Sequence, residues 1–134
     1  MSQTHDRVRR LLQDELGECC EEDVDRRFAE LDELRTATAE TVRQDSDVLG
    51  TLGNETRLRL VRYLDNANRE LCVCELEALA DVSESGVSHA LSDLTEAGLV
   101  TREKRGKWRY YQTTDRASAI LSVLDETRRT EDSA

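Results

Sequence analysis

Residues 81–113 read DVSESGVSHALSDLTEAGLVTREKRGKWRYYQT, and this stretch decides the fold. Ser83 stands where a side-chain oxygen caps a helix over Glu84–Ala97. Within that helix Val87, Leu91 and Leu94 recur at steps of four and three, which makes one buried face. Gly98 follows in the left-handed position that ends helices. Leu99–Arg105 and Trp108–Thr113 then read as two strands around a Gly106–Lys107 hairpin turn.

Working upstream, Asp81–Val82 form a turn, and Glu70-Leu-Cys-Val-Cys-Glu-Leu76 opens a short helix to about Ala80. Two helices joined by a tight turn, the second with a polar outer face of Ser85, Ser88, His89 and Ser92, match the helix-turn-helix plan. The hairpin behind them makes this a winged helix-turn-helix: mostly α, with a β-hairpin wing. Asn54 caps a helix over Glu55–Ala67 with Leu58, Val61 and Leu64 inward, preceded by a short apolar segment, Asp47–Gly53. A closing helix over Asp115–Thr127 carries Ala117, Ile120, Leu121 and Leu124. Ahead of all this, Thr4–Leu16 places Val8, Leu11 and Leu12 on one face before Gly17, and Glu21–Gln44 carries Val24, Phe28, Leu31 and Leu34 at helical spacing. The expected organisation is a helical N-terminal extension at 1–46, the winged domain at 47–127 and a short polar tail at 128–134.

Composition limits the function. In 134 residues, 37% are apolar and only one Trp, one Phe and three Tyr are present. So thin a core, beside two long apolar stripes, predicts a homodimer. No apolar run approaches the roughly 18 residues of a membrane span, and MSQTHDRVRR leads into no secretory stretch, so a cytoplasmic protein without a membrane partner is expected. The net charge of −10 argues against a polyanion partner until its distribution is read. Arg102, Lys104, Arg105, Lys107 and Arg109 stand against Glu103 alone, one basic patch on an acidic body. The acidic excess, with two Lys beside seventeen Arg, also resembles proteins of high-salt cytoplasm. No nucleophile–base constellation, phosphate-binding Gly loop or HExxH-type motif is present, so neither an enzyme nor a small-molecule substrate is expected. The four cysteines form two tight pairs, Cys19–Cys20 and Cys72–Val73–Cys74, a pattern of metal or redox chemistry more than of structural disulfides.

Five stretches together resemble one family, the ArsR/SmtB metal-responsive repressors, over roughly residues 48–125. Leu52-Gly-Asn-Glu-Thr-Arg-Leu-Arg-Leu60 resembles its opening helix, ELCVCEL at 70–76 its metal-binding box, and Val82–His89 the start of its recognition helix. Ala97–Arg102 and Arg105–Tyr111 resemble its wing. The resemblance implies a homodimeric repressor that holds double-stranded operator DNA when empty and releases it when a soft metal or metalloid loads. Its arsenite/antimonite branch is the nearest, with As(III) or Sb(III) as inducer. The cadmium, lead and zinc branch shares the box, which leaves Cd(II), Pb(II) and Zn(II) as alternatives. Glu84, Ala90 and Ser92 depart from the usual recognition helix, so operator sequence and affinity do not carry over. The closing helix has no His, which removes the zinc site that some members place there.

The resemblance implies Cys72 and Cys74 as thiolate ligands, soft donors that select thiophilic ions. Two residues apart, they would diverge on a regular helix, so the helix start must bend to bring them together. Cys19 and Cys20 are candidates to complete the coordination. Ser85, Ser88, His89 and Ser92 are expected to face DNA from the recognition helix, and Arg102, Lys104, Arg105, Lys107 and Arg109 to neutralise phosphates from the wing. A thiol-redox-sensing repressor of the same fold stands as the alternative.

Overall fold

The computed structural model describes residues 2–18 and 20–133, the side chains of residues 2 and 130–133 excepted. The chain divides into two compact units, Met1–Gln44 and Asp45–Ala134.

In the first unit, α1 (Ser2–Leu16) ends at Gly17, whose φ of +80° suits the residue without a Cβ and whose N–H donates to the Gln13 carbonyl at 3.0 Å. The long helix α2 (Glu21–Leu52) starts after Cys20, whose N–H donates to the Asp23 carboxylate at 3.3 Å. That bond holds the Asp23 carboxyl below its usual range. Leu12 and Val24 are buried, and the His5 ring stacks on Phe28 with centroids 4.3 Å apart. Arg9 pairs with Glu21, and Arg27 with Glu15. The expected apolar faces are therefore used in part. Leu11, Leu31 and Leu34 stay exposed, at 48%, 39% and 62%.

The hydrophobic period predicts a helix over Glu21–Gln44 and a separate short segment at Asp47–Gly53. The structure has one helix through Leu52. Gly50 lowers helix propensity by about 1 kcal/mol against Ala without breaking the turn, and the Thr51 hydroxyl donates to the Asp47 carbonyl at 2.8 Å within it. The helix stops where Arg57 donates to the free carbonyls of Thr51 (2.7 Å) and Gly50 (3.3 Å), which satisfies acceptors the helix itself cannot.

The second unit continues with α3 (Glu55–Ala67), β1 (Leu71–Cys72), α4 (Val73–Leu79), α5 (Glu84–Glu96), β2 (Val100–Arg105), β3 (Trp108–Thr113) and α6 (Asp115–Ser133). The predicted caps form. The Asn54 side chain accepts from the Arg57 N–H at 3.0 Å, and the Ser83 hydroxyl from the Gly86 N–H at 3.1 Å. Gly98, at φ +75°, closes α5, with the Leu99 N–H donating to the Leu94 carbonyl. Gly106 at φ +61° stands first in the two-residue turn between β2 and β3, the glycine position of a type II′ hairpin.

The sheet is antiparallel in the order β1-β3-β2, so the wing has a third strand that was not expected. Leu71 faces Tyr111 and Cys72 faces Tyr110 across β1 and β3, where sequence reading had the short helix already open. Helix α6 runs to Ser133, past the expected end at Thr127, so most of the stretch read as a polar tail is helical. One core joins these elements: Val48 and Leu52 of α2, Leu60, Val61 and Leu64 of α3, Leu76 of α4, Val87, Leu91 and Leu94 of α5, Leu99, Val100 and Tyr111 of the wing, and Ala117 and Leu121 of α6. Arg62 with Asp125 (3.0 Å) and Ser118 with Asp65 (2.7 Å) fasten α6 to α3. Among the described residues, no helix is long and apolar enough to cross a membrane.

Candidate functional site

The thiol pair sits at a junction. Cys72 is the last residue of β1 and the N-cap of α4, with φ −70° and ψ 150°, so it is extended and not helical. This resolves the two-residue spacing. The Cys72 and Cys74 Sγ atoms lie 3.1 Å apart, the Cys74 thiol donating to Cys72. Cys72 is buried and Cys74 exposed, so one thiol is anchored and the other opens to solvent. The bond to Cys72 pushes the Cys74 thiol up from its usual range, with burial adding to it. Glu75, three residues into the turn, accepts the Cys72 N–H at 2.8 Å and receives Arg69 at 3.4 Å. The Cys72 N–H, then Arg69, hold the Glu75 carboxyl below its usual range.

Two sulfurs at this separation can both reach an ion at thiolate bond lengths of about 2.3 Å, so the pair fits a thiophilic guest. Among the described residues, no group of three or more His, Cys, Asp or Glu is placed to hold a metal. Cys20 is exposed, and its thiol lies 3.3 Å from the Asp23 carboxylate. Cys19 lies outside the described residues.

The DNA-facing candidates group differently from their order in the chain. On α5, Ser85, Ser88, His89 and Ser92 are exposed, opposite buried Val87, Ala90, Leu91 and Leu94. Cross-strand register puts Arg102 against Tyr111 and Lys104 against Arg109. Because alternate residues share a face, Arg102, Lys104 and Arg109 lie on the side of the sheet that holds Val100 and Tyr111 in the core. There Arg102 and Arg109 line a groove of about 440 Å³ with Ser88, Ser92 and Glu96 of α5. Helix α5 and the wing thus line one groove with hydroxyls and two guanidinium groups, donors suited to a phosphate backbone, with the Glu96 carboxylate the one acidic group among them.

Arg105 is on the other face. Its Nη2 donates to both oxygens of Glu70 at 2.8 Å and to Glu103 at 2.9 Å, and its guanidinium lies 4.7 Å from the Tyr110 ring centroid. These carboxylates raise its pKa. Lys107, in the turn, lies over the Trp108 ring at 5.2 Å. In the sequence the five wing bases form one patch, and nothing there assigns Glu70 a role. The alternation of side chains along β2 signals that Arg105 parts from Arg102 and Lys104, but its partner lies 35 residues away.

Residues 54–102 match the pattern described as bacterial regulatory protein, arsR family. A Halobacterium salinarum protein assigned as an arsenical resistance operon repressor, ArsR, is 52% identical over 130 residues, covering 96% of this chain and all of that protein. The arsenical resistance operon repressor of Escherichia coli is 38% identical over 81 residues, 60% of this chain and 68% of its own. A crystal structure described as a transcriptional regulator for arsenical resistance superimposes with a TM-score of 0.52 at 36% identity, over 66% of this chain and 96% of its own. With a winged helix-turn-helix and a relative matched over its entire length, this chain belongs to the arsR family of bacterial regulatory proteins, DNA-binding transcription factors and not enzymes.

Proposed function

We propose that this regulator is a cytoplasmic, homodimeric repressor that releases operator DNA when As(III) or Sb(III) loads onto Cys72 and Cys74. The observation that carries the reading is the pair of Sγ atoms 3.1 Å apart at the hinge between the sheet and the first helix of the helix-turn-helix. The names of the relatives support arsenic as the inducer. Loading arsenite on two thiols breaks two S–H bonds, and each proton leaves with a hydroxide of the arsenite as water. No electrons move. Cys72 can serve as strand residue, helix cap and ligand at once, so occupancy bears directly on the backbone that positions α4 and, through it, α5.

The test is an operator-binding titration of the reduced protein with arsenite, antimonite, Cd(II), Pb(II), Zn(II) and peroxide in parallel. Release at the lowest concentrations by arsenite or antimonite supports the proposal. Release by Cd(II), Pb(II) or Zn(II) alone moves the sensor to that branch, and release by peroxide alone makes it a redox sensor.

Apolar surface left open within each unit supports the homodimer. Leu31, Leu34 and Val42 of α2 are 39–62% exposed in the first. Leu49 of α2, with Val123 and Leu124 of α6, is 41–63% exposed in the second. A two-fold dimer would place the recognition helices on half-sites about one DNA turn apart. Sedimentation equilibrium at micromolar protein should give twice the 15.2 kDa chain mass. A stable monomer there would contradict it.

A further inference from the structure

We propose that Glu70 and Arg105 are positioning residues that carry the occupancy of the thiol pair to the wing. The inference rests on the sensing reading above and deepens it. Cys72 is in register with Tyr110, and Tyr110 with Glu103. Antiparallel partners share a face, so these three residues and Arg105, two positions beyond Glu103, lie on the same side of the sheet. Arg105 ends β2 at the hairpin turn and closes on Glu70, two residues before Cys72, while its guanidinium rests on Tyr110. The tip of the wing is thereby tied to the strand that delivers the thiol pair. Arg102 and Arg109, on the opposite face, meet the α5 groove. One hairpin thus carries a DNA side and a sensor side, and Arg105 is the base on the sensor side.

The physical lever is short. Loading replaces the Cys74–Cys72 hydrogen bond with two bonds to one ion, and because Cys72 is buried and paired in β1, a backbone adjustment there moves the strand it shares with Leu71. Glu70 is the next residue along. Arg105 Nη2 lies 2.8 Å from both Glu70 oxygens, and charge-assisted hydrogen bonds this short weaken steeply with distance and angle, so a shift of about 1 Å at Glu70 loosens the hold on Arg105. The hairpin then loses the restraint that sets its angle to α5.

Trp108, the only tryptophan, stands opposite Arg105 in the register and reports on this end of the wing without DNA. Arsenite is titrated into the parent, Glu70→Gln, Arg105→Gln, the double variant and Glu103→Gln. Loading is read by thiolate-to-arsenic ultraviolet absorbance, the wing by Trp108 emission and release by anisotropy of labelled operator. The parent should load, change its Trp108 emission and release DNA. Glu70→Gln and Arg105→Gln should load equally, lose the emission change and show a ratio of ion-free to loaded DNA affinity smaller by about fivefold or more. The double variant should be no worse than either single one, because both remove one link. Glu103→Gln, whose carboxylate rides on the wing itself, should respond as the parent does. A Glu70→Gln protein that keeps the parent's emission change and release ratio overturns the proposal, as do single effects that add. A parent that loads and releases DNA with Trp108 unmoved overturns this relay and leaves the sensing reading standing. A parent that does not load removes both.

Discussion

With serine at Cys72 or at Cys74, the repressor should bind its operator as tightly as the parent and stay bound as arsenite rises. Release requires the ion to prefer the DNA-free state, and a hundredfold response corresponds to a difference of about 2.7 kcal/mol. One remaining thiolate cannot bridge the strand end and the first turn of α4, so this preference should vanish in either variant. Ion-free binding should persist. Cys74 is exposed and packs little, and the cap at Cys72 uses its backbone N–H with the Glu75 carboxylate, which serine retains. Anisotropy titrations with and without arsenite measure both halves. Variants that release DNA as readily as the parent would place the sensor elsewhere. Cys19→Ser combined with Cys20→Ser is expected to leave DNA binding intact and to weaken or re-rank the ions. A parent-like response to every ion would show that these thiols take no part.

Arg102→Ala with Arg109→Ala is the second large effect expected. Each guanidinium that meets a phosphate steepens the dependence of log affinity on log salt by about 0.9. Losing two should flatten the slope by about 1.8 and, at roughly 0.1 M salt, weaken binding about sixtyfold on every duplex alike. Arg105→Ala should leave the slope nearly unchanged, because Glu70 and Glu103 already neutralise that side chain. Ser88 and His89 variants should instead change which operators are preferred, as they stand on the exposed face of the recognition helix. Titrations at four or more salt concentrations separate these cases. An unchanged slope in the Arg102/Arg109 variant would detach the groove beside α5 from DNA binding.

The elements that local chemistry can write were legible in the sequence. Asn54 and Ser83 cap where short polar side chains precede an apolar helical period, Gly98 and Gly106 supply positive φ, and the step of Val87, Leu91 and Leu94 names the buried face of α5. The wing's two long strands announced themselves through a two-residue turn. Strand β1 did not, because two residues have no period and its reason to exist is Tyr110 and Tyr111, nearly forty positions downstream. The same holds for the thiols. Spacing alone says that residues two apart diverge on a helix, and only the pairing of Leu71 and Cys72 with β3 keeps Cys72 extended so that its sulfur meets that of Cys74.

Helix length was the other thing sequence could not settle. The run from Glu21 to Leu52 contains Gly50, a mild signal that tertiary packing of Val48 and Leu52 overrides. The basic patch was visible as composition, five bases in eight residues, but its division was not. Alternation along β2 and the register with β3 send Arg102 and Arg109 to the recognition helix and Arg105 to Glu70. By itself, then, the sequence determined the winged helix-turn-helix, the candidate thiols and the candidate DNA surface, because caps, turns and hydrophobic period are local forces. Which bases line the groove beside α5 and which one pairs with Glu70 was decided by strand pairing, which joins residues that no local signal connects.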